Sequence, residues 1–270
     1  MSRRSPITGP GDYAFVHTMC RVNNREYLFG KEIKALFLTF LHLVFPRYGA
    51  AVYYVCLMSN HAHLLHQTPT KNPNTPYGRF LERNQCLAEN GDLLRHFLSM
   101  FAKKANKLIE VDRFGKVVGF VADGTVKLRQ RFNRLIEENS KSVQVKTSRD
   151  ALAELIYLAL NPVRAGLVKH PRDYVHSTYQ MYATGQVMPG YTFHPAYLEL
   201  GETLAACAAA FCELIDEAMA EVKGAFRNLV AHHEEAWKKR SWYHQHITDA
   251  RAMVSRYLHR HLIRGLGSFF

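Results

Sequence analysis

Two histidines separated by one alanine are the clearest local feature of this sequence that could do chemistry. His61 and His63 stand in the stretch Met58-Ser-Asn-His-Ala-His-Leu-Leu65. In a strand, residues i and i+2 point to the same face, so both imidazoles can reach one ion. Imidazole suits a borderline divalent metal, but two histidines are only half a site and need a third ligand. In a chain with fifteen histidines such a pair also arises by chance.

Tyr157 and Asn161 are the second candidate pair, near the end of an Ala/Leu-rich segment. Residues four apart on a helix share a face. A phenol can act as a nucleophile, and a carboxamide oxygen can bind a cation. The alternative is structural, because a tyrosine on such a helix is usually a core residue and Asn161-Pro162 is an ordinary helix stop.

The elements that must position these residues follow from composition and periodicity. Runs of β-formers predict strands, apolar residues at helical spacing predict helices, and glycines among valines predict a hairpin. The strands are predicted over residues 12–22, 50–57 and 61–67, the helices over 31–45, 77–109 and 148–160, and the hairpin over 114–126.

The order of these elements predicts an α+β fold with an antiparallel sheet backed by helices. Ser148 or Asp150 is the expected N-cap of the helix that carries Tyr157. The Ala-rich and then charged C-terminal part shows helical patterns and no strand signal. We therefore predict a catalytic domain over residues 1–190 and a helical C-terminal extension over residues 191–270.

The charge balance favours a polyanionic partner. The chain has 35 Lys and Arg against 23 Asp and Glu, a formal net charge of +12. Such a surface attracts nucleic acid, although an anionic membrane surface would attract it too. Six basic residues are candidates for phosphate contacts, and the alternative for each is a solvated helix face. They are Lys103, Lys104, Lys107, Arg129, Arg131 and Arg134.

The sequence shows neither a membrane-spanning or secretory segment nor a paired cysteine motif. No window approaches the roughly 18 apolar residues of a membrane-spanning helix, and residues 1–11 lack the apolar core of a secretory signal. The five cysteines are scattered and include no Cys-x-x-Cys pair. We expect a cytoplasmic protein with no membrane partner, no disulfide framework and no zinc ribbon.

Together, the two motifs resemble those of a known family. The stretches from Met58 to Leu65 and Tyr157-Leu-Ala-Leu-Asn-Pro-Val-Arg-Ala-Gly-Leu-Val168 resemble the REP-associated tyrosine transposases, which are relatives of the IS200-like transposases. These enzymes have a His-hydrophobic-His (HUH) motif and one catalytic tyrosine. The resemblance extends over roughly residues 12–185. Ser59 stands where the family usually has proline, and the segment 110–147 is longer than expected.

The resemblance implies both a fold and a reaction. The fold is an HUH endonuclease core of the ferredoxin or RRM-like type, sandwiched by helices. His61, His63 and Asn161 would bind Mg²⁺ or Mn²⁺, and no other cofactor is expected. Tyr157 would attack single-stranded DNA that carries a hairpin or palindromic repeat, giving a 5′-phosphotyrosine link. Arg164 is expected to bind phosphate or cap carbonyls, or to help the phenol ionise.

Other functions remain open at this stage. One is a replication initiator or relaxase that uses the same metal and tyrosine chemistry, and another is a non-catalytic DNA-binding module that keeps the fold. A metal hydrolase unrelated to DNA is disfavoured by the basic charge. The protein could be a monomer or a homodimer.

Overall fold

Three of the predicted strands form one antiparallel sheet together with a strand that was not predicted. A computed structural model of the chain describes residues 13–69, 90–114, 116–121, 135–137, 141–229 and 242–266. The strands of the sheet are β1 (Tyr13–Arg21), β2 (Val52–Leu57), β3 (His61–Pro69) and β6 (Lys141–Val145). Their order in the sheet is β2-β3-β1-β6.

The missed strand β6 lies at the edge of the sheet, beside β1. Its sequence Lys-Ser-Val-Gln-Val is short and largely polar, as edge strands often are. Such a segment carries little β signal of its own, because its pairing with β1 supplies the order. The antiparallel pair β1–β3 is regular and runs from Tyr13 opposite Pro69 to Arg21 opposite His61.

A second sheet contains only a hairpin. Its strands are β4 (Ile109–Val111) and β5 (Val117–Phe120), with a register shift between Glu110 and Val111. A hairpin is therefore present, as predicted over residues 114–126, but it begins earlier, at Ile109. Its last part, 122–126, lies outside the described residues.

Two helices and an aromatic cluster supply the core beside the first strands. Helix α1 (Lys31–Val44) confirms the predicted helix, and α2 (Asn90–Leu108) matches the predicted helix from its break onward. Residues 77–89 of that prediction lie outside the described residues. The phenylalanine rings pack mostly edge to face, which is a geometry that aromatic pairs prefer. They belong to Phe29, Phe37, Phe45, Phe97 and Phe101.

The chain divides into two compact units. The first comprises residues 1–52 and 57–144, and the second comprises residues 53–56 and 145–270. In the second unit the backbone of Val55 exchanges hydrogen bonds with Thr178, and Tyr182 donates its hydroxyl to the carbonyl of Tyr53 at 2.9 Å. The middle of β2 thus belongs with the helices of the second unit.

Helix α3 (Ser148–Arg164) carries Tyr157 and differs from its prediction at both ends. Its N-cap is Thr147, whose hydroxyl accepts a hydrogen bond from the Asp150 amide at 3.1 Å, not Ser148 or Asp150. The helix also continues through Pro162, and only Val163 and Arg164 follow this proline before the helix ends. The backbone then turns at Gly166, where φ is +70°.

The C-terminal part is helical, as predicted. Helix α3 packs against two long helices of the second unit, and Asp150 pairs with Arg251 at 2.8 Å. The boundary at residue 190 stays a prediction. Among the described residues, no helix combines the length and apolarity needed to cross a membrane. The helices are α4 (Tyr179–Thr184), α5 (Pro195–Leu198), α6 (Leu204–Leu229) and α7 (Trp242–Leu266).

Candidate functional site

The β1–β3 register places His61 and His63 on one face of the sheet. Arg21 lies opposite His61, and Met19 lies opposite His63. Directly opposed residues of antiparallel strands share a face, so His17, two residues before Met19, lies on this face as well. The centroids of the His61 and His63 rings are 4.9 Å apart. The prediction that both imidazoles share a face is confirmed.

The protonated nitrogen of His61 is defined by its neighbour Asn60. The Asn60 amide Nδ2 donates to the carbonyl of Arg25 at 3.2 Å, which orients its oxygen toward His61. His61 Nδ1 lies 2.7 Å from that oxygen. A carboxamide oxygen only accepts, so Nδ1 carries the proton and Nε2 keeps its lone pair. A histidine that binds a metal usually donates its other ring N–H to an oxygen acceptor, and Asn60 provides such an oxygen here.

His63 is oriented by His17 rather than by a carboxamide. The Nδ1 atom of His63 lies 3.0 Å from Nε2 of His17, and both side chains are buried. One of these two nitrogens must donate and the other accept. If His63 donates, its Nε2 is left with a lone pair for a metal ion. If His17 donates, the proton of His63 sits on Nε2 instead. The tautomer of His17 therefore decides whether His63 can bind a metal through Nε2.

Both histidines of the pair are uncharged at neutral pH. Burial lowers the pKa of His61 to about 4, with a further decrease from the charge of Arg21. Burial also holds the pKa of His63 well below its ordinary value of 6.5, and the charges of His61, His17 and Arg21 act in the same direction. A neutral imidazole is the form that binds metals.

A separate polar chain lies on the opposite face of the sheet. His66 Nδ1 donates to the carbonyl of Gln67 at 2.8 Å, so its Nε2 accepts from the hydroxyl of Thr18 at 3.0 Å. Thr18 has then used its only proton, and Ser142, 3.0 Å away, must donate to it. The ring of His66 also packs edge-on against Phe45. We assign His66 a structural role.

This buried histidine should make stability depend on pH. Burial lowers the pKa of His66 to about 4, whereas the unfolded chain takes up its proton near 6.5. The unfolded state therefore binds more protons between these values, and the contribution of His66 to stability decreases as pH falls from 6.5 to 4. Acid lowers the free energy of unfolding, and we expect His66→Gln to make that decrease smaller by about 2–3 kcal/mol.

Urea unfolding of the metal-free protein at pH 7.0, 5.5 and 4.5 would measure this effect. Thr39→Ala, which removes an exposed hydroxyl of α1 and no titratable group, is the control and should keep the wild-type pH dependence. An equal decrease in the free energy of unfolding from pH 7.0 to 4.5 in His66→Gln and wild type would contradict the role assigned to His66.

Tyr157 and Asn161 share one face of α3, as their spacing predicted. Tyr157 is only 3% exposed, and burial raises its pKa to about 12, with opposing effects from the charge of Arg164 and a hydrogen bond from Asn161. At pH 7 the phenol is therefore almost fully protonated. The side chain of Asn161 is buried beside this phenol.

Arg164 lies over the ring of Tyr157. Its guanidinium carbon is 5.3 Å from the ring centroid, and its Nη1 donates to the carbonyl of Tyr157 at 3.2 Å. This carbonyl lies one turn before the end of the predicted helix and two turns before the observed end of α3, so Arg164 does not cap the last carbonyls of the helix. Burial lowers the pKa of Arg164 to about 10, so the group stays charged at pH 7. Its charge favours the phenolate form of Tyr157.

A family model matches the part of the chain that contains both histidines. Residues 13–75 match the IS200-like transposase family. The match includes β1 and β3 with His17, His61 and His63, and it confirms the resemblance over this segment. A solved structure of a REP-associated tyrosine transposase bound to a REP hairpin is similar to this chain, with a TM-score of 0.48 and 13% identity. The similarity covers 72% of this chain and 92% of that one, and no curated protein matches.

The basic candidates for DNA contacts are only partly within the described residues. Lys103 and Lys107 are exposed on α2, and Lys104 beside them is partly exposed. Arg129, Arg131 and Arg134 lie outside the described residues. The role of all six in binding DNA stays a prediction.

Three residues near the candidate pairs were not given a role from the sequence. Asn60 orients His61, Arg21 lowers the pKa of both histidines, and the charge of buried Glu154 raises the pKa of Tyr157. Only Glu154 left a sequence signal, because it stands one helical turn before Tyr157. The other two act through contacts that depend on loop structure and strand register.

Proposed function

We propose that this protein is a metal-dependent single-strand DNA endonuclease and strand transferase that acts on DNA carrying a hairpin. One observation carries the proposal: neutral His61 and His63 stand side by side within the segment that matches the IS200-like transposase family. The match supports a transposase-type function. The reaction, the metal and the hairpin substrate are our proposal, made from the resemblance of both motifs.

Residues of the chain suit the predicted Mg²⁺ or Mn²⁺ ion. His61 offers a defined Nε2 lone pair, and the amide of Asn161 is buried on the face of α3 that carries Tyr157. The oxygen of a carboxamide can bind a divalent cation. No group of three or more His, Cys, Asp or Glu suited to a metal occurs within the described part of the chain. A His, His, Asn set contains only two such residues.

Imidazole ligands favour Mn²⁺ over Mg²⁺, since Mg²⁺ prefers oxygen. When bound, the ion would neutralise and polarise the scissile phosphate. His61 and His63 would hold it in their neutral forms, so acid should weaken binding only as pH approaches the pKa of His61, about 4. Asn161 as the third ligand is carried over from the resemblance.

Tyr157 is the proposed nucleophile. Its phenol loses a proton to solvent, and Oη forms a bond to phosphorus while the bond from phosphorus to the 3′ oxygen breaks. The 3′ oxygen then takes a proton. A 5′-phosphotyrosyl link and a free 3′-hydroxyl result, and attack by another 3′-hydroxyl reverses the step. The Arg164 charge assists by favouring the phenolate. One ester bond replaces another, so no nucleotide triphosphate is needed.

The burial of Tyr157 favours one alternative function. A phenol that is 3% exposed cannot reach a phosphate without a local rearrangement. A non-catalytic DNA-binding module would tolerate such burial. The two functions differ in whether a covalent protein–DNA product forms.

The proposed function is tested by trapping that product. Hairpin DNA with a labelled single-stranded extension is incubated with the protein and Mn²⁺, then separated on a denaturing gel. We expect a labelled adduct that resists detergent, disappears with protease and does not form with EDTA. Mass spectrometry should locate the nucleotide on Tyr157. Binding without an adduct, across hairpins of varied stem and extension, would favour the non-catalytic module.

A further inference from the structure

The hairpin β4–β5 carries apolar side chains that are exposed to solvent rather than buried in its own packing. Phe114 at its turn is 79% exposed, and Val118 and Phe120 on β5 are 60% and 39% exposed. Its buried residues are Ile109 and Val111, both on β4. The hairpin is therefore anchored through β4 and presents β5 and the turn to solvent. Clustered exposed apolar groups mark a binding surface more often than isolated ones do.

The turn that carries Phe114 is held in place by Asp112. Its Oδ1 accepts hydrogen bonds from the backbone amides of Phe114 and Lys116, at 2.8 and 2.9 Å. The Asp112 amide also donates to the carbonyl of Lys116 at 2.8 Å. Such an arrangement is a side-chain-stabilised turn, which limits the entropy lost when a ligand binds. Because the Asp112 carboxylate accepts these two backbone hydrogen bonds, it repels an anionic ligand less than a free carboxylate would.

An exposed aromatic ring and a cation stand together on this turn. The guanidinium carbon of Arg113 lies 4.6 Å from the centroid of the Phe114 ring. Arg113 and Lys116 are both exposed, on either side of the ring in sequence. Between residues 103 and 120 the chain has five Lys or Arg against two Asp or Glu. The surroundings of the ring are therefore basic.

We propose that this hairpin is a contact surface for the unpaired strand of the DNA substrate, with a base stacked on Phe114 and phosphates beside Arg113 and Lys116. The inference rests on the proposed function, because it names the surface that would hold the single-stranded part of that substrate. An aromatic platform flanked by cations suits single strands, whose bases are free to stack. Paired bases are already stacked and cannot use the ring in this way.

The test is binding of fluorescently labelled DNA, measured by anisotropy in EDTA so that no chemistry is required. The two probes are a hairpin with a 5′ unpaired extension and the same hairpin without it. Phe114→Ala should weaken binding of the extended hairpin about 5- to 30-fold, as loss of one stacked base would. The blunt hairpin should bind as it does to wild type. Phe114→Trp should retain binding, and Phe114→Leu should lose it.

Two control measurements separate stacking from other effects. Val175→Ala, which truncates an 83% exposed apolar side chain of the second unit, should bind both probes as wild type does. Arg113→Ala and Lys116→Ala should each reduce the salt dependence of binding, by about 0.7 in the slope of log K against log salt. Thermal unfolding should be unchanged in each variant, because the altered side chains are exposed.

Wild-type binding by Phe114→Ala would overturn the proposal. So would retained binding by Phe114→Leu, since that points to apolar docking rather than stacking. Unchanged DNA binding with altered sedimentation of the protein would assign the surface to a protein contact instead. The covalent-adduct test is independent of these results. A wild type that forms no adduct yet needs Phe114 for binding would refute the chemistry and leave the surface in place.

Discussion

Tyr157→Phe should abolish the covalent protein–DNA adduct and reduce strand cleavage at least about 10³-fold. The substitution removes only the hydroxyl oxygen, which the proposed reaction joins to phosphorus. The aromatic ring keeps its place on buried α3, beneath the guanidinium of Arg164. DNA binding and the melting temperature should therefore change little. The adduct is scored on denaturing gels with Mn²⁺ and the extended hairpin.

The matched control is Tyr179→Phe. Tyr179 is another buried tyrosine of the second unit, and burial raises the pKa of its phenol as well. That variant should form the adduct at the wild-type rate. An adduct that persists in Tyr157→Phe, or that is lost in both variants, would refute the assignment of the nucleophile.

The same phenol predicts a pH profile for the wild type. With a pKa of about 12, the phenolate fraction of Tyr157 increases about tenfold for each unit of pH in the neutral range. If the phenolate attacks, single-turnover cleavage should rise with pH in the same way between pH 6 and 9. A bound cation would lower the pKa and bring the plateau into that range. A rate that falls over this interval would contradict attack by the phenolate.

His61→Ala and His63→Ala should each abolish metal-dependent cleavage, with a loss of at least about 10²-fold, because each removes one of two predicted imidazole ligands. Binding of Mn²⁺, followed by electron paramagnetic resonance without DNA, should weaken in parallel. His66→Gln is the matched control, since His66 lies on the opposite face of β3. Its Mn²⁺ affinity should equal that of the wild type.

His17 should act as a positioning residue for His63. Binding of a metal at Nε2 of His63 requires that its Nδ1 donate to His17 Nε2, 3.0 Å away. Loss of the acceptor in His17→Leu should weaken Mn²⁺ binding about 10-fold, the usual effect of removing such a partner. His17→Gln keeps an acceptor oxygen and should retain part of the affinity.

Nitrogen-15 spectra of the metal-free protein give a readout that does not depend on activity. We expect His61 and His63 to carry their protons on Nδ1, and His17 to leave its Nε2 unprotonated. A proton on Nε2 of His63 in the wild type would contradict the proposed ligand geometry. Normal Mn²⁺ affinity in His17→Leu would show that His17 does not position the ligand.

Local sequence patterns were sufficient for the elements that carry both motifs. The strands at β1, β2 and β3 and the helices α1 and α3 depend on spacing within one segment, and each was predicted close to its observed bounds. Edge strand β6 was missed because its short polar sequence is ordered by pairing with β1. The end of α3 was misplaced because the helix continues for two residues beyond the proline that was expected to stop it.

The pairing of side chains within each motif was also determined by the sequence alone. A period of two along β3 places His61 and His63 together, and a spacing of four along α3 places Tyr157 and Asn161 together. Both are consequences of backbone geometry within a single element. Composition likewise determined the basic character of the chain.

Contacts between distant segments were decided only by the tertiary structure. The β1–β3 register brings His17 to His63, and the turn at residues 22–29 brings the Arg25 carbonyl to Asn60, which orients His61. A shift of one residue in that register would move His17 to the other face of the sheet. Burial, which keeps the imidazoles of His61 and His63 neutral and the Tyr157 phenol protonated, is likewise a property of packing. The sequence thus determined which residue types could do chemistry, and the fold decided their burial, their contacts and the position of the proton on His61.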